Sequence, residues 1–395
     1  MKKLFTLALL SSALTVQAQQ VNGSFNDEWT DCVPWIGLNN TKAQGTQPQG
    51  WKLSNVIGAL LGTNYMGSTT IGKQVDGRDG SGYAVELTNT PNPYMRTKIV
   101  PGYLTLGTPW STSVGSGLQT DGGTWGGIEF GYKPDAVKFW YKRAADTPDN
   151  PASFVGYLWS GEYTQENVPV NIVISGTPTQ TTMTNRDVNI LGKEYTKGGD
   201  VTEEGTLVAS FEEYETEVVN DWTEKTIEFH YVDKNTTPEK LNLIFASSNY
   251  FSQDVAKGNS LTIDDVELVY YHALSALSYD GKSVDGFSSS NTSYTINGVY
   301  DASKLKYTKK GIGASVSTCF NEKSSQLTIS VKGNDYDKNP ESITNYVLTF
   351  TIPTAINHAA LNAASTASKA YTLDGRRANA FAKGVLVKGG KKIIK

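Results

Sequence analysis

Cysteine is almost absent from the chain. Cys32 and Cys319 are the only two in 395 residues, which excludes a disulfide framework and leaves free, buried thiols as the expectation. Histidine is as scarce: His230, His272 and His358 show neither metal-site nor catalytic-triad spacing. An excess of basic charge is also missing. The formal net charge is −4, which gives no electrostatic footprint for a nucleic acid or an anionic membrane. No stretch holds a long helical period, and the glycine-rich run from Gly115 to Gly131 is followed by neither a helix nor Gly-Lys-Ser/Thr, so it is not a phosphate loop. Tryptophan stops early, since all eight lie between Trp29 and Trp222.

What the chain does carry first is a leader. Lys2 and Lys3 precede a short apolar run, Leu4 to Leu10, and a small-residue site follows at Val16-Gln17-Ala18. This pattern predicts a bacterial-type secretory signal over residues 1–18, cleaved after Ala18 and too short to be a good membrane span. The mature protein is expected to be exported, to the periplasm, the outer surface or the medium. No cysteine follows the apolar run directly, so no lipid anchor is expected.

From Val21 to Tyr271 the sequence is dense in Gly, Thr, Ser and Asn, with short apolar runs. Tyr83–Leu87, Ala136–Tyr141, Asn171–Ile174, Lys225–Tyr231 and Lys240–Phe245 read as strands between turn-rich segments. Residues 21–271 are therefore expected to form a jelly-roll β-sandwich. From His272 to Pro353, runs such as Gln326–Val331 and Tyr346–Ile352 alternate apolar and polar residues, which predicts a small immunoglobulin-like sandwich. Residues 354–395 are expected to be a small, polar linker and a short β-hairpin tail with a basic end. The fold class is all-β.

One strand stands out: Gly258-Asn-Ser-Leu-Thr-Ile-Asp-Asp-Val-Glu-Leu-Val-Tyr-Tyr271 has two adjacent carboxylates, Asp264 and Asp265, at its centre. Neighbouring strand side chains point to opposite faces, so one acid must turn inward or lie against a turn. A buried carboxylate needs an ion partner, hydrogen bonds or a cation.

Five segments in order carry a resemblance: Asn22-Gly-Ser-Phe-Asn-Asp-Glu-Trp29, Gln49-Gly-Trp51, Gly82-Tyr-Ala-Val-Glu-Leu-Thr88, Phe130 to Lys142, and Ala246-Ser-Ser-Asn249 with Gly258 to Leu268. Together they resemble the proposed carbohydrate metabolism domain family of Bacteroidota, a jelly roll similar to galactose-binding-like modules. The resemblance implies a secreted or surface protein engaged with polysaccharide or glycoconjugate. Tyr371-Thr-Leu-Asp-Gly-Arg-Arg377 with Lys383 to Lys395 is similar to C-terminal sorting-type tails of the same phylum, although Ala378 to Ala382 departs from that pattern.

In such modules the Ile-Asp-Asp strand meets the N-terminal strand and helps to hold a structural Ca²⁺. The resemblance therefore implies Asp264, with Asp265 as alternate, as the carboxylate ligand and the Asn22–Asp27 stretch, Asn22 first, as the source of the rest, since calcium takes hard oxygen donors. Asn26 stands where relatives carry Glu after the Phe. The competing reading has Asp264 capping turn amides and Asp265 solvated. No other cofactor is assigned.

Sugar recognition uses flat aromatic faces together with carboxylates and amides. Trp110, Trp125, Trp159, Tyr163 and Tyr250 fall in turn-rich segments and are the candidate platforms. Trp51 and one of Trp140 and Tyr141 are expected in the core. Hydrolysis would need two opposed acids, with Asp121, Glu129, Glu162 and Glu86 as the nearby candidates. A non-catalytic glycan-binding protein is the leading expectation; a glycoside hydrolase and a structural or adhesive surface protein are the alternatives.

Overall fold

The computed structural model describes residues 21–32, 45–60, 64–92, 97–114, 119–161, 163–164, 172–174, 177–179, 191, 202–203, 205–252, 254–351, 370–378, 383–388 and 391–394. The expected leader, Glu162 and most of the expected linker lie outside them. The described residues are built of strands, with a 3-10 turn at Ala302–Lys304, so the chain is all-β. No described helix is long and apolar enough to cross a membrane.

The chain forms two compact units. The first holds the described residues up to Ser275 with Thr308–Ser317 and Ser330–Thr344; the second holds Ala276–Tyr307, Thr318–Ile329 and the chain from Asn345.

The first unit is a two-sheet sandwich. One sheet runs in the order Val219–Glu228, Ala136–Ala144, Ser260–Val269, Tyr83–Thr88, Gly72–Asp76. The other runs His230–Tyr231, Thr206–Glu215, Ala152–Ser160, Lys240–Ala246, Tyr103–Thr105, Lys52–Leu53, with Ile128–Glu129 also paired to Lys240–Ala246. The chain crosses between sheets several times, as a jelly roll does. Ala136–Ala144 shows why the sequence chooses this form. Val137, Phe139 and Tyr141 turn inward while Lys138, Trp140 and Lys142 turn outward, the period of a half-buried strand. Between the sheets, Phe139 meets Phe154 at 4.9 Å and Phe245 at 5.0 Å, and Trp51 meets Phe245 at 6.0 Å. Trp51 is core, as expected, and these tilted and edge-on rings are the favoured aromatic geometry.

Arg143 follows the same inward alternation and is 1 % exposed. Its guanidinium answers that burial by donating to the carbonyls of Pro148, Asn150, Thr216 and Glu217, as a buried cation must.

The second large sheet is covered on both faces. In Ala152–Ser160 every residue but the last is buried: Phe154 and Leu158 join the sandwich core, while Val155, Tyr157 and Trp159 form a separate apolar cluster with Tyr103, Ile244 and Ala246.

Smaller sheets run through the remaining chain. In the second unit Ser278–Tyr279 pairs with Lys282–Ser283, and Ser293–Asn297 pairs in parallel with Val347–Thr351. Its interior holds Leu277, Tyr294, Leu327, Ile329, Leu348 and Phe350. The tail forms a three-stranded sheet of Ala370–Thr372, Val385–Lys388 and Lys391–Ile394, one strand more than the expected hairpin. Both cysteines are free. Cys32 is buried, and burial pushes its thiol up to about 11, but Cys319 is exposed, which corrects the expectation of two buried thiols.

Candidate functional site

Thr108–Val114 and Gln119–Trp125 form a hairpin that places Thr108 opposite Trp125, Trp110 opposite Gly123 and Thr112 opposite Asp121. Trp110, Trp125 and Asp121 are thereby brought onto one ribbon. The sequence predicts turn-rich segments here, and the structure pairs them as strands. They pair because glycine, serine and threonine accept strand geometry when their backbone groups find partners, even without apolar alternation.

Polar contacts tie the hairpin to the outer apolar face of the second sheet. The Tyr103 hydroxyl donates to the Gly123 carbonyl at 2.6 Å, and the Thr124 amide donates to the Tyr250 hydroxyl at 2.7 Å. The Thr105 and Thr124 hydroxyls lie 3.0 Å apart, Thr105 donates to Asn242 Oδ1 at 2.8 Å, and Asn242 Nδ2 donates to Tyr157 at 2.9 Å. Each buried polar group is satisfied by another, so the network fixes the hairpin in place. Burial pushes the Tyr103 phenol well above its ordinary value.

Where the chain enters and leaves this hairpin there is a recess of about 190 Å³, lined by Val21, Asn22, Asp27, Gln49, Gly50, Leu106 and Ile128. Its polar wall comes from two segments stitched together. Trp51 Nε1 donates to the Asn22 carbonyl at 2.9 Å, and Asn22 Nδ2 donates to the Gln49 carbonyl at 3.2 Å. Gly50 makes the intervening turn at φ +83°, and nothing stands within 4 Å of where a Cβ would be. The arrangement offers one carboxylate and two amides beside three aliphatic residues, Val21, Leu106 and Ile128. At about 190 Å³ the recess is smaller than the roughly 300–1,000 Å³ of drug-sized sites.

The Asp264–Asp265 pair lies elsewhere. Ser260–Val269 has a bulge against Ala136–Ala144, the register shifting between Lys138 and Trp140, and Asp265 takes φ +49°. This bulge frees both acids from strict alternation. Asp264 is 4 % exposed and accepts from the amides of Arg78 and Asp265, both at 2.8 Å. Burial pushes its carboxyl above the ordinary value, against the pull of those two bonds. Asp265 Oδ2 accepts from the Arg78 guanidinium at 2.7 and 2.9 Å, and the same guanidinium lies 4.5 Å from the centre of the Trp140 ring. The pair is thus engaged by Arg78, and Asn22 faces Gln49. No group of three or more His, Cys, Asp or Glu suited to a metal occurs among the described residues.

The other expected residues scatter. Trp159 was read into a turn-rich segment but lies in Ala152–Ser160, 2 % exposed; its neighbours Tyr157 and Leu158 extend the apolar run that makes this strand buried on both faces. Tyr250 is half-buried in a turn and supports the hairpin. Tyr163 is in a short strand paired with Thr202–Glu203. Glu129 is exposed and paired with Lys240, and Glu86 with Lys73 at 2.7 Å. Glu162 lies outside the described residues. Asp27 belongs to the Asn22–Asp27 stretch expected to complete the calcium ligands and instead lines the recess, together with Gln49, which the sequence does not single out.

No family model matches the chain, and no curated protein matches it. Three solved structures are similar over part of it. One is a proposed glycoside hydrolase from Bacteroides thetaiotaomicron VPI-5482, 16 % identical with TM-score 0.33, the match covering 51 % of this chain and 57 % of that one. The chain therefore spans less than two thirds of that protein. A proposed glycoside hydrolase from Bacteroides vulgatus ATCC 8482 is 18 % identical with TM-score 0.34, covering 54 % and 90 %. A proposed sugar-binding protein from Bacteroides thetaiotaomicron VPI-5482 is 12 % identical with TM-score 0.26, covering 64 % and 98 %.

Proposed function

We propose that the chain is a secreted or surface glycan-binding protein that takes one sugar ring of a polysaccharide or glycoconjugate into the recess at the base of the hairpin. The observation that carries this reading is the lining itself. Asp27, Asn22 and Gln49 supply acceptors and donors for ring hydroxyls, and Leu106 and Ile128 supply an apolar wall for the C–H face. Trp110 and Trp125 are on the strands that leave this point, where a longer glycan would extend.

A single carboxylate in the lining is what hydroxyl recognition uses. Hydrolysis would need a second acid across the scissile bond, and the nearby Glu129 is held by Lys240. The test is a glycan array probed with the purified protein and with the Asn22→Ala/Asp27→Ala double variant. The reading expects a defined set of glycans bound by the first and lost by the second. Equal binding by both would contradict it.

A further inference from the structure

The loop closing Gln326–Lys332 onto Ile343–Thr351 bears oxygen-rich side chains at alternate positions: Asp335, Asp337, Asn339 and Glu341. Carboxylates and amides at every second residue are how a short loop surrounds a hard cation. The sixth position, glycine in the helix-loop-helix calcium motif, is Pro340 here, and no Glu occupies the twelfth. The spacing alone therefore decides nothing; the structure supplies the rest.

The loop is wound tightly by its own backbone. The Asp335 carbonyl accepts from the amides of Lys338 and Asn339 at 2.9 Å, the Ser342 amide donates to the Asn339 carbonyl at 2.9 Å, and the Gly333 amide closes the base on the Ser342 carbonyl at 2.8 Å. Inside that winding, two buried side-chain oxygens have no hydrogen-bond partner: Asp335 Oδ1 and Ser342 Oγ. Ser342 is only 3 % exposed. Both atoms lie beside Gly333, where a Cβ would stand 2.0 Å from Ser342 Oγ and 2.8 Å from Asp335 Oδ1. The two are no further apart than those distances combined, a span that one Ca²⁺ bridges at its usual contact of about 2.3–2.6 Å to each oxygen.

A buried carboxylate oxygen without a donor is costly and demands an explanation. The Tyr132 hydroxyl donates to Asp337 Oδ2 at 2.9 Å. Its phenol is pushed up to about 12, by burial first and then by Asp337 and Asp335. Asn339 meets Asp335 Oδ2 through Nδ2 at a long 3.3 Å; turning that amide over would present its oxygen instead.

We propose that the 333–342 loop is a Ca²⁺ site, with Asp335 Oδ1 and Ser342 Oγ as its inner ligands, Asp337 and Asn339 as the further side-chain oxygens, and loop carbonyls and water filling the six to eight positions calcium takes. The donors are all oxygen, which selects calcium over zinc. The site is separate from the recess and from Asp264, and stands whether or not a glycan binds.

Calorimetric titration of the chelator-stripped full-length protein with CaCl₂ tests it, with MgCl₂ as control and thermal melts alongside. One Ca²⁺ per chain, with a higher melting temperature, is expected for the wild type and for Asp264→Asn. Binding should be lost in Asp335→Asn and weakened at least about tenfold in Ser342→Ala, the variant that least disturbs folding. Absence of any calcium heat or melting shift in the wild type would overturn the proposal. So would binding that survives both loop variants or disappears in Asp264→Asn.

Discussion

The backbone amide of Arg78 donates to Oδ2 of Asp264 at 2.8 Å, joining positions 186 residues apart in the chain. The bond fixes the turn after Gly72–Asp76 against the bulge in Ser260–Val269. Replacing Asp264 by Ala would leave the part-buried Arg78 and Asp265 amides without their acceptor, a loss of about 0.5–1.5 kcal/mol for each hydrogen bond. Arg78→Ala keeps its own amide and removes only an exposed ion pair and a ring contact, so its loss should be the smaller. Urea unfolding of the two variants checks the order; the reverse order would show that the guanidinium, not the amide, holds the bulge.

Acid sensitivity should come from a different carboxylate. The folded pKa of Asp264 is raised, so its ionisation works against the fold, and its contribution is greatest below the ordinary aspartate value and falls as pH rises through the folded one. Glu215 behaves in the opposite way. Burial raises it, but the hydroxyl of Tyr141 at 2.6 Å, the Glu217 amide and the charge of Lys225 outweigh burial and hold it below the ordinary glutamate value. Its stabilisation is therefore complete above that ordinary value and is lost as pH falls through the folded pKa. The stability gap between wild type and Glu215→Gln should be open at neutral pH and close through that acid window. A gap independent of pH would count against the assignment.

Trp159 should behave as core. Its ring lies 5.3 Å from that of Tyr157, and a Cβ added to Gly127 would come within 2.9 Å of it. Trp159→Ala is expected to cost about 3–5 kcal/mol, as other large buried deletions do, measured as a shift in the denaturation midpoint. An unchanged midpoint together with lost glycan binding would instead make Trp159 the exposed platform that its position in the sequence suggested.

The strands that were legible are those whose apolar residues alternate: Ala136–Ala144 shows its inward face in the order of its letters. The 108–125 hairpin was not legible. Its arms are Ser, Thr and Gly around two tryptophans, and their pairing is decided by Tyr103, Thr105, Asn242 and Tyr250, which are distant in sequence. The Asp264–Asp265 pair announced that it needed partners, but Arg78 could not be found from spacing because nothing local links them. The recess was hidden for another reason: Asp27 and Gln49 are ordinary surface residues, and only the turn at Gly50 and the Trp51–Asn22 bond bring them together.

The most direct test of the central claim is the affinity of the full-length protein for a glycan selected on the array, compared between wild type and Asp27→Ala by calorimetry. Asp27 is exposed and tied to no described fold contact, so the variant should melt as the wild type does. The account predicts an affinity at least about tenfold weaker, roughly 1.4 kcal/mol, with the stoichiometry of one sugar site unchanged. An affinity equal to that of the wild type would contradict it and move the binding site away from the recess.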